Sequence, residues 1–568
     1  MKITQSNFLE LLSGITQYQI PIYQRNYDWD QDTCQRLLDD IVKCGIDGNP
    51  NHYIGSIIVK EETTAGFSLR NVIDGQQRTT TISLLLLALS KYWTDHPSAN
   101  VQPITAALLN NIKSTYLANE AMANTSLYTK LLPKSGADRT DYENLLLDAP
   151  VGTGRILTNY NYFLNTLSSH SYDVESIFNG ISKSQLALVV LEGNENPQLL
   201  FEAINDTGVD LSPIDLIRNW IFMGLQSYEQ ERLYRAYWIP LETLLEERIG
   251  EFFRYFTILK SEVKNPDVYK QFKKTFILNS ANTTGIESLL RELKTYADVY
   301  KKYLSSNLNN SALNSQLANL KRTQKDVFIP LILKILKLYS EESLNLSDLS
   351  SMIVYLESYI VRRDILRIPS NTLSDAHIQL LKNCNSLQSF RNTLCGFTET
   401  KRMPTNADLT RELQTLNFYG LSDSYYYLER IEKSINPAFA LEDPTIEHIL
   451  PETMHTTANP KTNVNNPNDF NWELDLGPNA QDIHDRLQHN LGNLTILPRG
   501  ENARMGDYRF GIKKNWQMTT PGSFNYGYLY TPIRISQSLR NYTVWNEQSI
   551  LQRCSEMTTF ICTIWPHP

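Results

Sequence analysis

The sequence predicts an α+β chain of several domains: an α/β N-terminal region, a largely helical middle, and a C-terminal region built on a β-hairpin and a helix. Three observations carry this reading. At 568 residues the chain is too long for one ordinary core. Within the first 90 or so residues, short β-like runs lead through a Gly turn into a long apolar helix. The texture then changes twice, to helix-rich sequence near residue 95 and to Pro-, Asn-, His- and Asp-rich sequence near residue 441. The expected domains are 1–225, 226–435 and 436–568.

Element by element, QYQIPIY, HYIGSIIVK and SLRNVID each suit a short strand. ISLLLLALSKYW has the length and composition of a buried helix. LALVVLEGNENP, Leu186 to Pro197, reads as a strand running into a turn and is expected to return to the N-terminal sheet. TFILNSA, VFIPLILKILKLYS, LSSMIVYLESYIVRRDIL and RELQTLNFYG read as helical. Beyond residue 441 helices are expected to fade while Trp recurs at positions 472, 516, 545 and 565.

The bulk numbers exclude some classes. A net charge of −8 argues against a protein that coats DNA nonspecifically, since that affinity comes from neutralising phosphates. It leaves room for a DNA enzyme with local basic surfaces. No stretch approaches the roughly 20 apolar residues of a membrane helix, and MKITQSNFLELL lacks a signal-peptide core. A cytoplasmic protein with no membrane partner is expected. The six cysteines contain no CxxC pair, so buried free thiols are expected.

Two constellations carry chemistry. In PTIEHILPE, Glu447 directly precedes His448 in a β-like run. Successive strand residues face opposite sides, so the two can take different tasks if the strand bends there. Further on, HNLGNLTILPRGENARMG supplies a Gly492-Asn493 turn, the strand LTIL, and Asn502 at the start of a helix. A hairpin and a helix can offer a carboxylate, a His, a loop-fixing Asn and a further oxygen ligand. Mg²⁺ suits oxygen ligands and keeps several waters. His455, His484 and His489 read either as accessory ligands or as plain loop residues.

The other constellation is IPIYQRNYDWD with VIDGQQRTTT. In the second segment, helix N-terminal N–H groups and Arg78 form a natural anion site after a Gly-permitted turn. Asp74 would orient Arg78, hold a metal or abstract a proton. The same residues also suit a plain polar turn with Asp74 capping the helix. Tyr23, Gln24, Arg25, Tyr27 and Trp29 crowd into seven residues, which favours stacking on bases or gripping phosphates; the plainer alternative is half-buried edge-strand aromatics.

IEHILP, GNLTIL and Asn502, nine positions after Asn493, resemble the HNH (ββα-metal) endonuclease motif in the form carried by the GmrSD family of type IV, modification-dependent restriction endonucleases. YQRNYDW, DGQQR and FEAINDTGVDLSPIDLIRNW resemble the GmrS-type half of that family, with Asn205, Asp206, Gly208, Asp215 and Asn219 matching a later block. The resemblance implies a ParB-like N-terminal half fused to a GmrD-type HNH half. It implies Glu447 and Asn502 as ligands of Mg²⁺ or Mn²⁺, His448 as the catalytic base, and Asn493 as the brace of the catalytic loop. The sequence departs from the common pattern in having Glu for Asp at 447 and Asn for His at 502. Lys513 or Lys514 would contact phosphate.

No G-x-x-x-x-G-K-[ST] motif is present, so an NTP (GTP, ATP or CTP) would be handled by Asp74, Gly75, Gln76, Gln77 and Arg78. Asn205, Asp206 and Asn219 are accessory candidates. The implied activity is phage defence by cutting or nicking DNA, modified or phosphorothioate DNA being the expected partner, with a homodimer possible. Two alternatives stay open: a nucleotide-switched DNA-binding regulator with little nuclease activity, and an indiscriminate DNase toxin.

Overall fold

The apolar runs of the N-terminal region assemble into one mixed sheet. The computed structural model describes residues 1–47, 52–64, 67–98, 100–134, 136–169, 172–191, 212–277, 283–516 and 527–568. The chain divides into two compact units, Met1–Phe253 with Asp267–Thr295, and Arg254–Pro266 with Tyr296–Pro568.

In the first unit the strands are β1 (Lys2–Ser6), β2 (Gln17–Gln19), β3 (Tyr53–Thr64), β4 (Phe67–Asp74), β5 (Leu131–Leu132) and β6 (Gln185–Leu191). Their order across the sheet is β1-β6-β3-β4-β2-β5. β3 pairs antiparallel with β4, and β6 returns to run parallel to β3 and antiparallel to β1. That return is the one expected from LALVVL, whose continuous apolar run suits an interior strand covered on both faces. QYQIPIY is a strand only over Gln17–Gln19. Pro21 has no N–H for a ladder, and its carbonyl accepts the Gln24 N–H at 3.0 Å in a turn.

β4 ends at Asp74 and feeds the helix Gln76–Asp95. Every residue from Thr79 to Leu89 on that helix is buried, so it has no solvent face and sits inside the core beside the Arg155–Ser168 helix. TFILNSA departs from expectation. The helix Val268–Thr275 stops at its first residue, Phe276 and Ile277 are not helical, and the rest lies outside the described residues.

The second unit holds the expected helices Ile329–Ser340 and Leu346–Ile365, whereas RELQTLNFYG is helical only over its first three residues, the end of the helix Asn406–Leu413. Helices do not fade after residue 441: Glu547–Ile564 is an 18-residue helix burying Ile550, Cys554, Met557 and Ile561. Its apolar positions, diluted by Thr, Ser and Gln, hide its period. The recurring Trp residues explain themselves as anchors. Trp472, Trp545 and Trp565 are fully buried, and each indole N–H finds an acceptor: Asp507 O at 3.2 Å, Asn493 Oδ1 at 3.0 Å and Glu357 Oε1 at 2.8 Å. Two strands, β7 (Pro444–His448) and β8 (Leu494–Pro498), form a separate antiparallel ribbon in this unit. Among the described residues no helix is long and apolar enough to cross a membrane. Cys395 is exposed, unlike the buried thiols of Cys34, Cys384 and Cys554.

Candidate functional site

The C-terminal site is built on the β7–β8 ribbon. Glu447 lies opposite Thr495 and His448 opposite Leu494, and the helix Arg499–Met505 follows β8 directly. Asn493 enters the ribbon from a short 3₁₀ turn and is wholly buried. Its Oδ1 accepts the Leu450 N–H at 2.7 Å and the Trp545 indole N–H at 3.0 Å. Its Nδ2 donates to Leu450 O at 2.8 Å and to Gln488 O at 2.7 Å. All four bonds of the amide are therefore made, and they fix the chain just after His448. Arg553, itself buried, donates to Gly492 O and Leu494 O at 2.6 and 2.7 Å and holds the same turn from the far side.

Glu447 and His448 leave the strand on opposite faces. Glu447 is only 2% exposed, and its Oε1 accepts from Lys513 Nζ at 2.7 Å and Tyr528 hydroxyl at 2.9 Å. Burial pushes its pKa up, and the adjacent Lys513 ammonium opposes that rise. Lys513 is fully buried and also donates to His448 O and Ile449 O at 2.9 and 3.2 Å. Lys514 donates to Arg540 O and Tyr542 O at 2.9 and 2.6 Å. Neither lysine is placed to reach a phosphate: Lys513 is the counter-ion of Glu447, and Lys514 ties backbone to backbone.

His448 turns towards a second imidazole. Its Nε2 lies 3.0 Å from His489 Nδ1 and 3.9 Å from Glu452 Oε1. The Tyr419 ring stands edge-on to His448, centroids 4.6 Å apart, and stacks on His489 at 5.4 Å. Burial, then the charges of His489, Lys513 and His484, push the His448 pKa down to about 3, so the ring is neutral at pH 7. Asn502 donates both Nδ2 bonds, to Thr445 Oγ1 at 3.0 Å and Ile446 O at 2.9 Å. Its Oδ1 is the atom left for a ligand. It borders an open cavity of about 480 Å³ lined also by Tyr419, Tyr425, Thr445, Ile446 and Arg499. In donor chemistry, a carboxylate paired with Lys513 and an amide oxygen fit a hard cation.

The N-terminal site lies where β4 meets its helix. Gly75 takes φ +88°, a left-handed conformation that favours Gly, and serves as N-cap with no side-chain bond. Asp74 therefore does not cap the helix. The first intrahelical bond is Thr79 N–H to Gly75 O, so the earlier N–H groups point outward. Gln76 is 9% exposed, and its Oε1 has no hydrogen-bond partner among the described residues. Arg78 donates to Ser56 O at 3.2 Å, its guanidinium resting where a Cβ on Gly55 would fall within 2.7 Å. Burial lowers the Arg78 pKa and Asp74 opposes this.

The YQRNYDW segment is a clamp over this helix rather than an open stacking surface. Tyr23, Gln24 and Tyr27 are 2, 3 and 6% exposed. Gln24 Nε2 donates to Ile73 O at 3.0 Å, and Tyr27 hydroxyl bonds Thr81 Oγ1 at 2.7 Å. Gln77 pairs with the segment at both ends of its amide, accepting Asp28 N–H at 2.9 Å and donating to Asn26 O at 3.0 Å. Only Arg25 and Trp29 of the five expected sensing residues keep partial exposure, and Arg25 Nε has no hydrogen-bond partner among the described residues. Arg218 donates to Tyr23 O at 2.6 Å, and its neighbour Asn219 is buried with Oδ1 unpartnered among the described residues. Asn205 and Asp206 lie outside the described residues.

Both constellations fall inside matches to known family models. Residues 8–222 match the N-terminal domain of GmrSD restriction endonucleases, and residues 403–560 match their C-terminal domain. The chain belongs to the GmrSD restriction endonuclease family. No curated protein matches it. The GmrSD C-terminal match spans Tyr419, Glu452, Tyr528 and Arg553, none of which stands out in the sequence. Only the Trp recurrence signals that Trp545 has a place beside Asn493.

The neutral His448 has a measurable consequence for this GmrSD chain. His377, 2% exposed, is likewise held down, to about 4, by burial. Both folded pKa values lie below the ordinary value of about 6.5, so below that pH the unfolded chain binds more protons. Their contribution is complete above about pH 6.5 and declines as pH falls towards 4 and 3, by up to about 1.4 kcal/mol per His per pH unit. Melting temperature is expected to drop between pH 7 and pH 5, less steeply for His377→Leu. Identical slopes for wild type and variant would refute this.

Proposed function

We propose that this restriction endonuclease hydrolyses DNA at the β7–β8 ribbon by an HNH-type, metal-dependent mechanism, under control of a nucleotide site in the N-terminal half. The observation that carries the reading is the juxtaposition of Glu447 and His448 on β7 with Asn493 and the Asn502 helix on the paired strand. Phosphodiester hydrolysis needs a group to take a proton from water and a cation to stabilise charge on phosphate and leaving oxygen. His448 is the base. It is neutral at pH 7, and the negative charge of an arriving phosphate raises its proton affinity from the low resting value. Asn493 keeps the backbone after His448 from yielding. Glu447, with Lys513 balancing it, and Asn502 Oδ1 would hold Mg²⁺ or Mn²⁺. When bound, that ion supplies positive charge at the scissile phosphate.

In the N-terminal half, the outward N–H groups of Gln76 to Arg78 and the Arg78 guanidinium bind the phosphates of an NTP, and Asp74 orients a water or metal. Gln77 links this site to the YQRNYDW clamp, so an occupied site is felt by Arg25 and Trp29, the partly exposed members of that segment. Modified phage DNA or phosphorothioate DNA is the substrate, with a homodimer cutting both strands. The purified chain is expected to hydrolyse GTP, ATP or CTP, and Asp74→Ala and Arg78→Ala to reduce that rate at least about tenfold, in line with the loss of a positioned catalytic group. Hydrolysis that survives both substitutions removes the assigned nucleotide site.

A further inference from the structure

We propose that His448, His489 and Glu452 form a second, transition-metal site, and that Zn²⁺ bound there switches the nuclease off. This rests on the reading of His448 as the base. Among the described residues, these three place one donor atom each within 4.8 Å of one another. His448 Nε2 lies 3.0 Å from His489 Nδ1 and 3.9 Å from Glu452 Oε1. A tetrahedral Zn²⁺ with bonds of about 2.0–2.1 Å sets its ligands roughly 3.3 Å apart, between those two separations. Two imidazoles and one carboxylate leave a fourth position for water.

The donor set differs in kind from Glu447 and Asn502. Imidazole suits Zn²⁺, whereas Mg²⁺ prefers oxygen. Within the first set Glu447 faces Lys513 and Tyr528, whereas His448 faces His489. Tyr419 fixes both imidazoles, and His489 O accepts the Phe418 and Tyr419 N–H groups at 2.9 and 3.3 Å, so the pair is preorganised. The Glu452 side chain is 56% exposed and opens the site to solvent.

Proton accounting gives the consequence. In the metal-free pair one proton lies between His448 Nε2 and His489 Nδ1. A metal binding both nitrogens sends that proton to the other nitrogen of its own ring, with no net release. His448 then has Nε2 on the metal and a proton on Nδ1, and no lone pair remains to accept a proton from water.

The test uses the full chain with Co²⁺ and Zn²⁺ as probes. Visible absorption of tetrahedral Co²⁺ and calorimetry with Zn²⁺ are expected to report one site per chain, weakened at least tenfold in His489→Ala and in Glu452→Gln. Plasmid cleavage in saturating Mg²⁺, read as the ratio with and without Zn²⁺, is expected to fall at least tenfold for wild type and to change less in either variant. Binding that is equal in wild type and both variants overturns the site, and binding without loss of cleavage overturns the inhibition. If wild type fails to cleave in Mg²⁺ alone, the nuclease reading and the inhibition fall together, while the Co²⁺ spectra still decide the metal site.

Discussion

His448→Ala is expected to lower DNA cleavage in Mg²⁺ or Mn²⁺ by about 10²–10⁴-fold, the usual contribution of a positioned general base. The imidazole makes no bond that the fold depends on. Its Nε2 meets His489, and the backbone carbonyl that Lys513 grips survives the substitution. The variant should therefore melt close to wild type while failing to nick supercoiled plasmid. His448→Ala that cleaves as fast as wild type removes the HNH-type mechanism altogether. Should the alanine variant melt early, His448→Gln, which keeps a polar side chain facing His489 but removes the imidazole base, is expected to fold and still fail to cleave.

The second large effect is on stability. Lys513→Met leaves the Glu447 carboxylate buried without its cation and removes the donor to His448 O and Ile449 O. Breaking a buried ion pair from one side costs about 3–5 kcal/mol, because the remaining charge stays out of water without its partner. In the double variant Glu447→Gln with Lys513→Met no charge is stranded, so it should lose less than Lys513→Met alone. Denaturant unfolding measures both. A single-variant loss below about 1 kcal/mol would mean that the pair is solvated in solution.

What the sequence made legible follows the range of each interaction. Asp74-Gly75 after an apolar strand announced a turn into a helix because the signal is local. LALVVL announced a strand returning to the N-terminal sheet because its apolar run is continuous. The β7–β8 ribbon was legible for the same reason, with IEHILP and GNLTIL carrying strand and turn signals together. The partners of the site residues were not. Lys513 meets Glu447 across 66 positions, and His489 meets His448 across 41, and neither spacing leaves a periodic trace. Tyr27 reads as a stacking surface because an aromatic-rich segment reads alike whether it faces solvent or, as here, turns inward, its hydroxyl bonded to Thr81 Oγ1 and accepting from Asn159 Nδ2. Lys513 looked like a phosphate contact because burial of a lysine is decided by a distant carboxylate.

The most direct measurement is cleavage by the full chain of unmodified, glucosylated-hydroxymethylcytosine and phosphorothioate DNA in Mg²⁺, each with and without NTP. The expected result is preferential cutting of one modified substrate, with a rate that changes on NTP addition in wild type and not in Arg78→Ala. Equal rates on all three substrates, unaffected by NTP, would contradict it and leave an ungated DNase.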